Sequence, residues 1–206
     1  MRFLGNQAMI VGTNALVAYA IEANAFIRDA PDATLDFDLA LTAVEADAAR
    51  PTLWKILKEV DMTYAKRKNL SRYEVLIIAS LIEREAQLAR ERRLVSAVIY
   101  NRLAEGMPLG IDATTRYSTN NWTKPIKQSE IEKDEPFNTR INRGLPPTPI
   151  GNPGLASIKA AAKPSSKKYL YYVRKANDDS GEHAFSTTYS EFEKDLARYN
   201  ASRGDG

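Results

Sequence analysis

The fold is decided by the stretch that begins at Ser71 and ends at Gln87, SRYEVLIIASLIEREAQ. Ser71 and Glu74 have the S-x-x-E spacing of a capping box, in which each side chain binds the free backbone N–H of the other residue, so a helix is predicted to begin there. Apolar side chains then surround nearly the whole helix, at Val75, Leu76, Ile77, Ile78, Ala79, Leu81 and Ile82. A helix of this kind lies in a protein core.

The same helix carries two carboxylates near its end, Glu83 and Glu85. At about 100° per residue, Glu85 falls beside Leu81 and Ile82 in the middle of the apolar arc, and Glu83 points about 160° away from it. Side chains two residues apart on a helix do not face each other, so the pair cannot supply the facing acid and nucleophile, about 5 Å apart, of a retaining glycosidase. One of the two carboxylates must therefore act alone.

Glu85 is the stronger candidate for a general acid. A carboxyl group held against leucine and isoleucine is expected to have a raised pKa, because loss of water disfavours its anion. The alternative is that Arg84 and Glu85 simply end the helix on a solvated turn, since unpaired charged residues are usually exposed.

Composition narrows the chemistry further. The 206 residues suit one domain with room for a small appendage, and they include no cysteine and one histidine, His183. Disulfides, thiol nucleophiles and Cys/His metal sites are therefore excluded, and a Ser-His-Asp triad would depend on His183 alone. Residues 65–206 hold 24 Lys and Arg against 17 Asp and Glu, whereas residues 1–64 hold 5 against 9. The basic second part is suited to an anionic polymer, either nucleic acid or an acidic glycan.

The first third of the chain gives weaker signals. Residues 14–27 and 35–49 are predicted as weak helical stretches, and residues 52–66 as an amphipathic helix. No run of 18 apolar residues predicts a membrane span. Polar residues interrupt the apolar part of residues 1–21, so this segment is a poor signal peptide.

After the central helix, residues 91–104 have helical spacing, and Gly106 stands where a left-handed cap is expected. Residues 107–117 are predicted as a loop, and residues 134–149 as an extended or turned segment because of their prolines. Asn152 is predicted to cap a short helix that ends at Ala162.

The C-terminal part predicts a hairpin followed by a helix. Residues 169–174 and 183–187 have strand character and are separated by a turn. Ser190 and Glu193 repeat the capping-box spacing, which predicts a last helix to about Tyr199. The fold class is therefore α+β, with a helical core around the central helix and a small antiparallel β-sheet near the C-terminus.

Five segments together resemble the bacterial endolytic murein transglycosylases of the MltG (YceG-like) family, from about Leu53 to the C-terminus. They are LIIASLIEREAQ, ERRLVSAVIYNRLAEGMPLGIDATTRY, PFNTRINRGLPPTPIGNPGLASIKAAAKP, YLYYV and HAF. The family's catalytic glutamate is the second Glu of an E-K-E motif, which stands here as Glu83-Arg84-Glu85. The resemblance therefore selects Glu85, with Glu83 as a secondary candidate acid.

The resemblance also implies a set of residues around a glycan groove: Asn101, Asp112, Thr114, Tyr117, Asn138, Thr139, Asn152 and His183. Structural alternatives stay open for three of them. Asn101 can bond nearby backbone, Asn152 can act as a helix cap, and His183 can be a structural hydrogen-bond donor.

The implied reaction is cleavage, without water, of the β-1,4 bond between N-acetylmuramic acid and N-acetylglucosamine, leaving 1,6-anhydromuramyl ends. One glutamate serves as acid and then as base, and no cofactor or metal is implied. The implied partners are peptidoglycan glycan strands and, as further candidates, cell-wall synthesis enzymes, at the extracytoplasmic face of the bacterial plasma membrane. No nucleic acid is expected.

Residues 1–50 do not match what usually precedes this domain, and the family's N-terminal membrane helix is missing. We therefore expect a divergent helical segment at 1–50, a catalytic domain at 51–206, and either a truncated chain or an unusual start. A rival hypothesis is a non-catalytic module that binds murein, or that binds nucleic acid through its two tryptophans and ten tyrosines.

Overall fold

A computed structural model describes residues 8–12, 37–41 and 60–204. The helices and strands, in chain order, are β1 Ala8–Gly12, β2 Phe37–Leu41, α1 Thr63–Arg67, α2 Arg72–Glu85, α3 Arg92–Ala104, α4 Asp112–Thr119, α5 Gln128–Ile131, α6 Leu155–Ala162, β3 Tyr171–Arg174, β4 His183–Ser186 and α7 Tyr189–Arg203. The α+β class is confirmed. Within the described part of the chain, no helix combines the length and the apolar character needed to cross a membrane.

Helix α2 forms the centre of the core, as its sequence predicts. The Ser71 hydroxyl accepts the Glu74 N–H over 3.1 Å, and the Glu74 carboxylate accepts the Ser71 N–H over 2.8 Å. Every residue from Val75 to Ile82 is buried. This helix packs against α3 and α6, and α3 and α6 also pack against each other. The three helices therefore enclose one apolar core, and α2 ends at its edge.

The end of α3 confirms the predicted glycine cap. Gly106 adopts a left-handed conformation with φ of 63°. The N–H of Gly106 binds the carbonyl of Leu103, and the N–H of Met107 binds the carbonyl of Arg102. This pair of bonds is a Schellman motif, and it turns the chain toward α4.

The hairpin of β3 and β4 is antiparallel, with Tyr172 opposite Phe185 and Arg174 opposite His183. Because side chains alternate between the two faces of a strand, these four residues share one face. Tyr171 belongs to the other face, where its ring lies 5.3 Å from that of Phe192 in α7. The predicted hairpin is confirmed with slightly shorter strands.

The N-terminal predictions are partly wrong. Residues 37–41 form β2, antiparallel to β1, and not part of a helix over 35–49. Apolar residues stand at every second position of FDLAL, which is the period of a strand. The predicted helix at 14–27 lies outside the described residues, as do residues 52–59. Within the described residues of the predicted helix at 52–66, residues 60–62 are not helical and α1 begins at Thr63.

The predicted loop at 107–117 is also wrong in its second half, where α4 begins at Asp112. Its sequence has little helical propensity, because it contains three threonines. Ala113, Thr114 and Thr115 are buried against the rest of the protein. Tertiary packing therefore stabilises a helix that the local sequence does not predict.

Two predicted caps lie elsewhere. Helix α6 begins after Gly154, and not at Asn152. Helix α7 uses Thr188 and Glu191 as its capping box, and it extends beyond Tyr199 to Arg203. Residues 134–149 contain no helix and no strand, as predicted.

Candidate active site

Glu85 is the last residue of α2, and its side chain is half-buried. The hydroxyl of Tyr172, in β3, donates a hydrogen bond to Oε2 of Glu85 over 2.8 Å. The carboxylate therefore lies where the end of the central helix meets the hairpin. The alternative of an unpaired carboxylate on a solvated turn does not describe this side chain.

Burial raises the pKa of the Glu85 carboxyl above its ordinary value. The hydrogen bond from Tyr172 is the largest opposing contribution to that pKa, and the negative charge of Asp112 raises it further. His183 and the backbone of Ala113 lower it by smaller amounts. Burial also raises the pKa of the Tyr172 hydroxyl, which keeps this group a proton donor. The raised pKa predicted for Glu85 is therefore found.

Glu83 has a different environment, although it lies only two residues away. Its Oε2 accepts hydrogen bonds from the backbone N–H of Gly154 over 3.1 Å and from the hydroxyl of Ser157 over 2.6 Å. Both donors belong to the first turn of α6. Since a helix N-terminus favours negative charge, the Glu83 carboxylate caps that helix.

His183 is held by Glu91, a buried carboxylate in the short 3₁₀ turn Ala89–Glu91. Oε1 of Glu91 accepts the backbone N–H of His183 over 2.9 Å, and Oε2 lies 2.8 Å from Nδ1 of its ring. A carboxylate accepts hydrogen bonds, so this contact assigns the Nδ1 proton to His183. The His183 ring packs edge-on against Tyr172, with 5.3 Å between ring centroids.

Three of the other predicted residues lie together at the start of α4. Asp112 forms an ion pair with Arg140. Thr139 is buried, and its hydroxyl oxygen accepts the N–H of Ile111 over 3.0 Å and lies 3.0 Å from the hydroxyl of Thr114. These contacts fix the turn that brings Asp112 and Ala113 to Glu85.

The remaining predicted residues lie further along the chain. The Asn138 side chain is fully buried, and its amide donates to the carbonyls of Ile131 and Lys133. The Asn101 amide donates to the carbonyls of Lys167 and Tyr169, which lead into β3, so the backbone-bonding alternative describes this residue.

Tyr117 packs against Phe137, with 5.1 Å between ring centroids, and Asn152 is exposed. Among the predicted residues, Asp112 raises the pKa of Glu85 and His183 lowers it through their charges.

Sequence reasoning missed Tyr172 and Glu91. The alternation of YLYYVR shows only that Tyr172 faces away from Tyr171, and not which face meets Glu85. Glu91 was predicted as the beginning of a helix, which it adjoins, and no local pattern predicts that it binds His183.

The model of the YceG-like family matches residues 36–198 of this chain. The chain belongs to the YceG-like family. The resemblance seen in the sequence is thereby confirmed. The match begins at residue 36, within the predicted N-terminal segment, and the predicted domain boundary at residue 51 stays a prediction.

Similar proteins are known from several bacteria. This YceG-like chain is 37% identical over 140 residues to the endolytic murein transglycosylase of Bacillus subtilis (strain 168), a match covering 68% of this chain and 38% of that protein. It is 29% identical over 153 residues to the endolytic murein transglycosylase of Streptococcus pneumoniae (strain ATCC BAA-255 / R6), covering 71% of this chain and 27% of that protein.

A crystal structure of a yceG-like protein from Listeria monocytogenes superposes with a TM-score of 0.57 at 37% identity, covering 63% of this chain and 41% of that one. The chain thus spans less than half the length of each of these relatives.

Proposed function

We propose that this YceG-like chain carries the catalytic centre of a lytic transglycosylase that cleaves peptidoglycan glycan strands. The observation that carries the proposal is the half-buried Glu85, whose pKa is raised by burial and whose carboxylate binds the Tyr172 hydroxyl. The names of the Bacillus and Streptococcus relatives support the substrate class.

Glu85 acts first as a general acid. Its carboxyl proton passes to the oxygen that links N-acetylmuramic acid to the next N-acetylglucosamine, as the bond from that oxygen to muramyl C1 breaks. A raised pKa keeps the group protonated closer to neutral pH than an ordinary glutamate. The leaving sugar departs with a new hydroxyl group, and an oxocarbenium-like centre develops at C1.

Glu85 then acts as a general base. Its carboxylate takes the proton of the muramyl 6-hydroxyl while the oxygen of that hydroxyl closes on C1, which forms the 1,6-anhydro ring. The second step restores the proton used in the first, so the cycle needs one carboxyl and consumes no water. The negative charge of Asp112 raises the pKa of Glu85 and so favours the protonated carboxyl that the first step needs.

The neighbouring residues divide into two groups in this proposal. The resemblance suggests Asp112, Tyr117 and Asn152 for contact with the sugar, whereas His183 is buried and bonded to Glu91 and is assigned to holding the hairpin. Thr114, Asn138, Thr139 and Asn101 are assigned to supporting the backbone around the centre, because their polar groups are bonded within the chain. Glu83, the secondary candidate acid, is assigned to helix capping because two donors of α6 occupy its carboxylate.

The proposed setting is the extracytoplasmic face of the bacterial plasma membrane, with cell-wall synthesis enzymes as further partners. The excess of positive charge in residues 65–206 suits a polymer whose stem peptides carry carboxylates.

Digestion of purified murein sacculi by the chain tests the proposal, with mass spectrometry of the soluble products. The expected products carry anhydromuramyl ends, which are one water lighter than reducing ends, and Glu85→Gln releases almost none of them. Reducing ends would contradict the anhydro reaction and indicate hydrolysis. A wild-type digest whose soluble fraction and residual sacculi together contain no more anhydromuramyl ends than untreated sacculi would contradict the catalytic function itself.

A further inference from the structure

We propose that Tyr172 is the positioning residue of this centre, and that its hydroxyl holds the Glu85 carboxyl in place for proton transfer. The inference rests on the proposed function of Glu85. It assigns to the hairpin a role that the resemblance did not imply.

The need for such a residue follows from where α2 ends. Glu85 is the last helical residue, and Ala86 already has extended backbone, with φ of −89° and ψ of 102°. The Glu85 side chain leans back over the preceding turn, where Leu81 and Ile82 offer apolar contact and no hydrogen bond. A donor that fixes Oε2 must therefore come from another part of the chain, and the Tyr172 hydroxyl, 2.8 Å away, supplies it.

Tyr172 is directed toward Glu85 by the architecture of the hairpin. Tyr171 uses the opposite face of β3, where its ring packs on Tyr189 and Phe192 of α7. Because neighbouring residues of a strand point to opposite faces, fixing Tyr171 on α7 turns Tyr172 the other way. Ring contacts with His183 and Phe185 then limit its rotation.

The hairpin is itself anchored next to α2. Glu91 follows Glu85 by six residues and binds both the backbone N–H and the ring Nδ1 of His183. Glu91 is 2% exposed and His183 is 7% exposed, so water competes little for these bonds. Glu91 thus holds His183, the His183 ring packs against Tyr172, and Tyr172 binds Glu85. These contacts together fix the distance between the hairpin and the Glu85 carboxyl.

The groups around Glu85 set the direction in which its titration is expected to move. Asp112 of α4, whose partner is Arg140, disfavours the Glu85 anion, and His183 of β4 favours it. The hydrogen bond from Tyr172 favours the anion more strongly than His183 does. Removing the hydroxyl leaves burial and Asp112 less opposed, so the Glu85 carboxyl should titrate at higher pH.

The test compares Tyr172→Phe with Tyr171→Phe, which makes the same chemical change one residue away on the opposite face. Two quantities are measured, the rate of sacculus digestion and the pH titration of the Glu85 Cδ signal by carbon-13 NMR, assigned with Glu85→Gln. We expect Tyr172→Phe to lower the rate about tenfold, the scale of a lost hydrogen bond to a charged group. We also expect it to move the titration to higher pH, and Tyr171→Phe to change neither.

A fluorinated tyrosine placed at position 172 provides a second variant that keeps the hydroxyl. Its phenol is the stronger donor, so the Glu85 titration should move to lower pH.

An unchanged Glu85 titration in Tyr172→Phe overturns the inference whatever the rate. A shifted titration with an unchanged rate overturns the positioning role. Failure of the proposed function is a separate result, because it is decided by the rate of Glu85→Gln, whereas the titration depends only on the folded chain.

Discussion

The hydroxyl of Ser157 donates a hydrogen bond to Oε2 of Glu83 over 2.6 Å. This bond ties the central helix to the beginning of α6, and it occupies the one carboxylate that competes with Glu85 for the role of acid. Two glutamates from the same turn of helix thus have different partners, one within a helix cap and the other beside the hairpin.

Replacing Glu83 by glutamine should destabilise the fold and leave the chemistry nearly intact. The substitution removes a negative charge from the N-terminus of α6 and weakens the cap, at a cost of about 1 kcal/mol in the free energy of unfolding. Urea unfolding measures this cost, and digestion of sacculi per folded molecule measures the rate. A stable Glu83→Gln variant that no longer cuts would mean that the two roles are exchanged.

The stability of Glu85→Gln should depend on pH relative to wild type. The pKa of Glu85 is higher in the folded chain than its unfolded value of 4.5, so the folded state holds the proton more tightly. The stabilisation by this proton is present below pH 4.5 and is lost as pH rises through the folded-state pKa. Glutamine cannot ionise, so the variant should gain stability relative to wild type as pH rises from 4 to 8. Thermal unfolding across this range checks the sign, and a relative loss of stability with rising pH would contradict it.

Glu91, which binds the hairpin residue His183, should contribute more to the free energy of unfolding than Glu182, an acid of the hairpin turn. Glu91→Ala leaves the backbone N–H and Nδ1 of His183 buried without their acceptor, and each lost bond costs about 1–3 kcal/mol. The matched control is Glu182→Ala, which removes partly exposed ion pairs with Arg90 and Lys175 and should change stability little. Equal unfolding midpoints for the two variants in urea would show that the buried pair does not anchor β4.

Thr139→Val should destabilise the turn before α4. Valine keeps the shape of threonine but cannot accept the buried N–H of Ile111, at a cost of about 1–3 kcal/mol. Thr119→Val is the control. The hydroxyl of Thr119 donates to the carbonyl of Thr115, and this carbonyl keeps its hydrogen bond from Ser118 when the Thr119 hydroxyl is removed. That change should stay within about 0.5 kcal/mol. Chemical denaturation of the two variants should therefore give clearly different free energies, and similar values would contradict the assigned role of Thr139.

The local sequence predicts the central helix and the place of Glu85 because both depend on short-range geometry. The capping box of Ser71 and Glu74 lies within one turn, and the helical period alone puts Glu85 beside the apolar arc. Strand alternation likewise separates Tyr171 from Tyr172. The raised pKa of Glu85 follows from its burial beside these apolar neighbours.

Other features depend on partners distant in sequence, and local patterns do not reveal them. Glu83 lies 71 residues before Gly154, yet it supplies the acceptor at the beginning of α6, so the helix does not need Asn152 as its cap. Tyr172 and Glu91 likewise acquire their roles from contacts 87 and 92 residues apart. Helix α4 forms because its threonines are buried, against the propensity of its sequence.

The rate of sacculus digestion by Glu85→Gln, compared with wild type and Glu83→Gln, tests the central claim most directly. The carboxyl of Glu85 is proposed to carry both proton transfers, so its loss should lower the rate by about 10²–10⁴. Glu83→Gln should keep a rate close to wild type. Wild-type digestion by a folded Glu85→Gln chain would contradict the assignment of Glu85 as the catalytic acid.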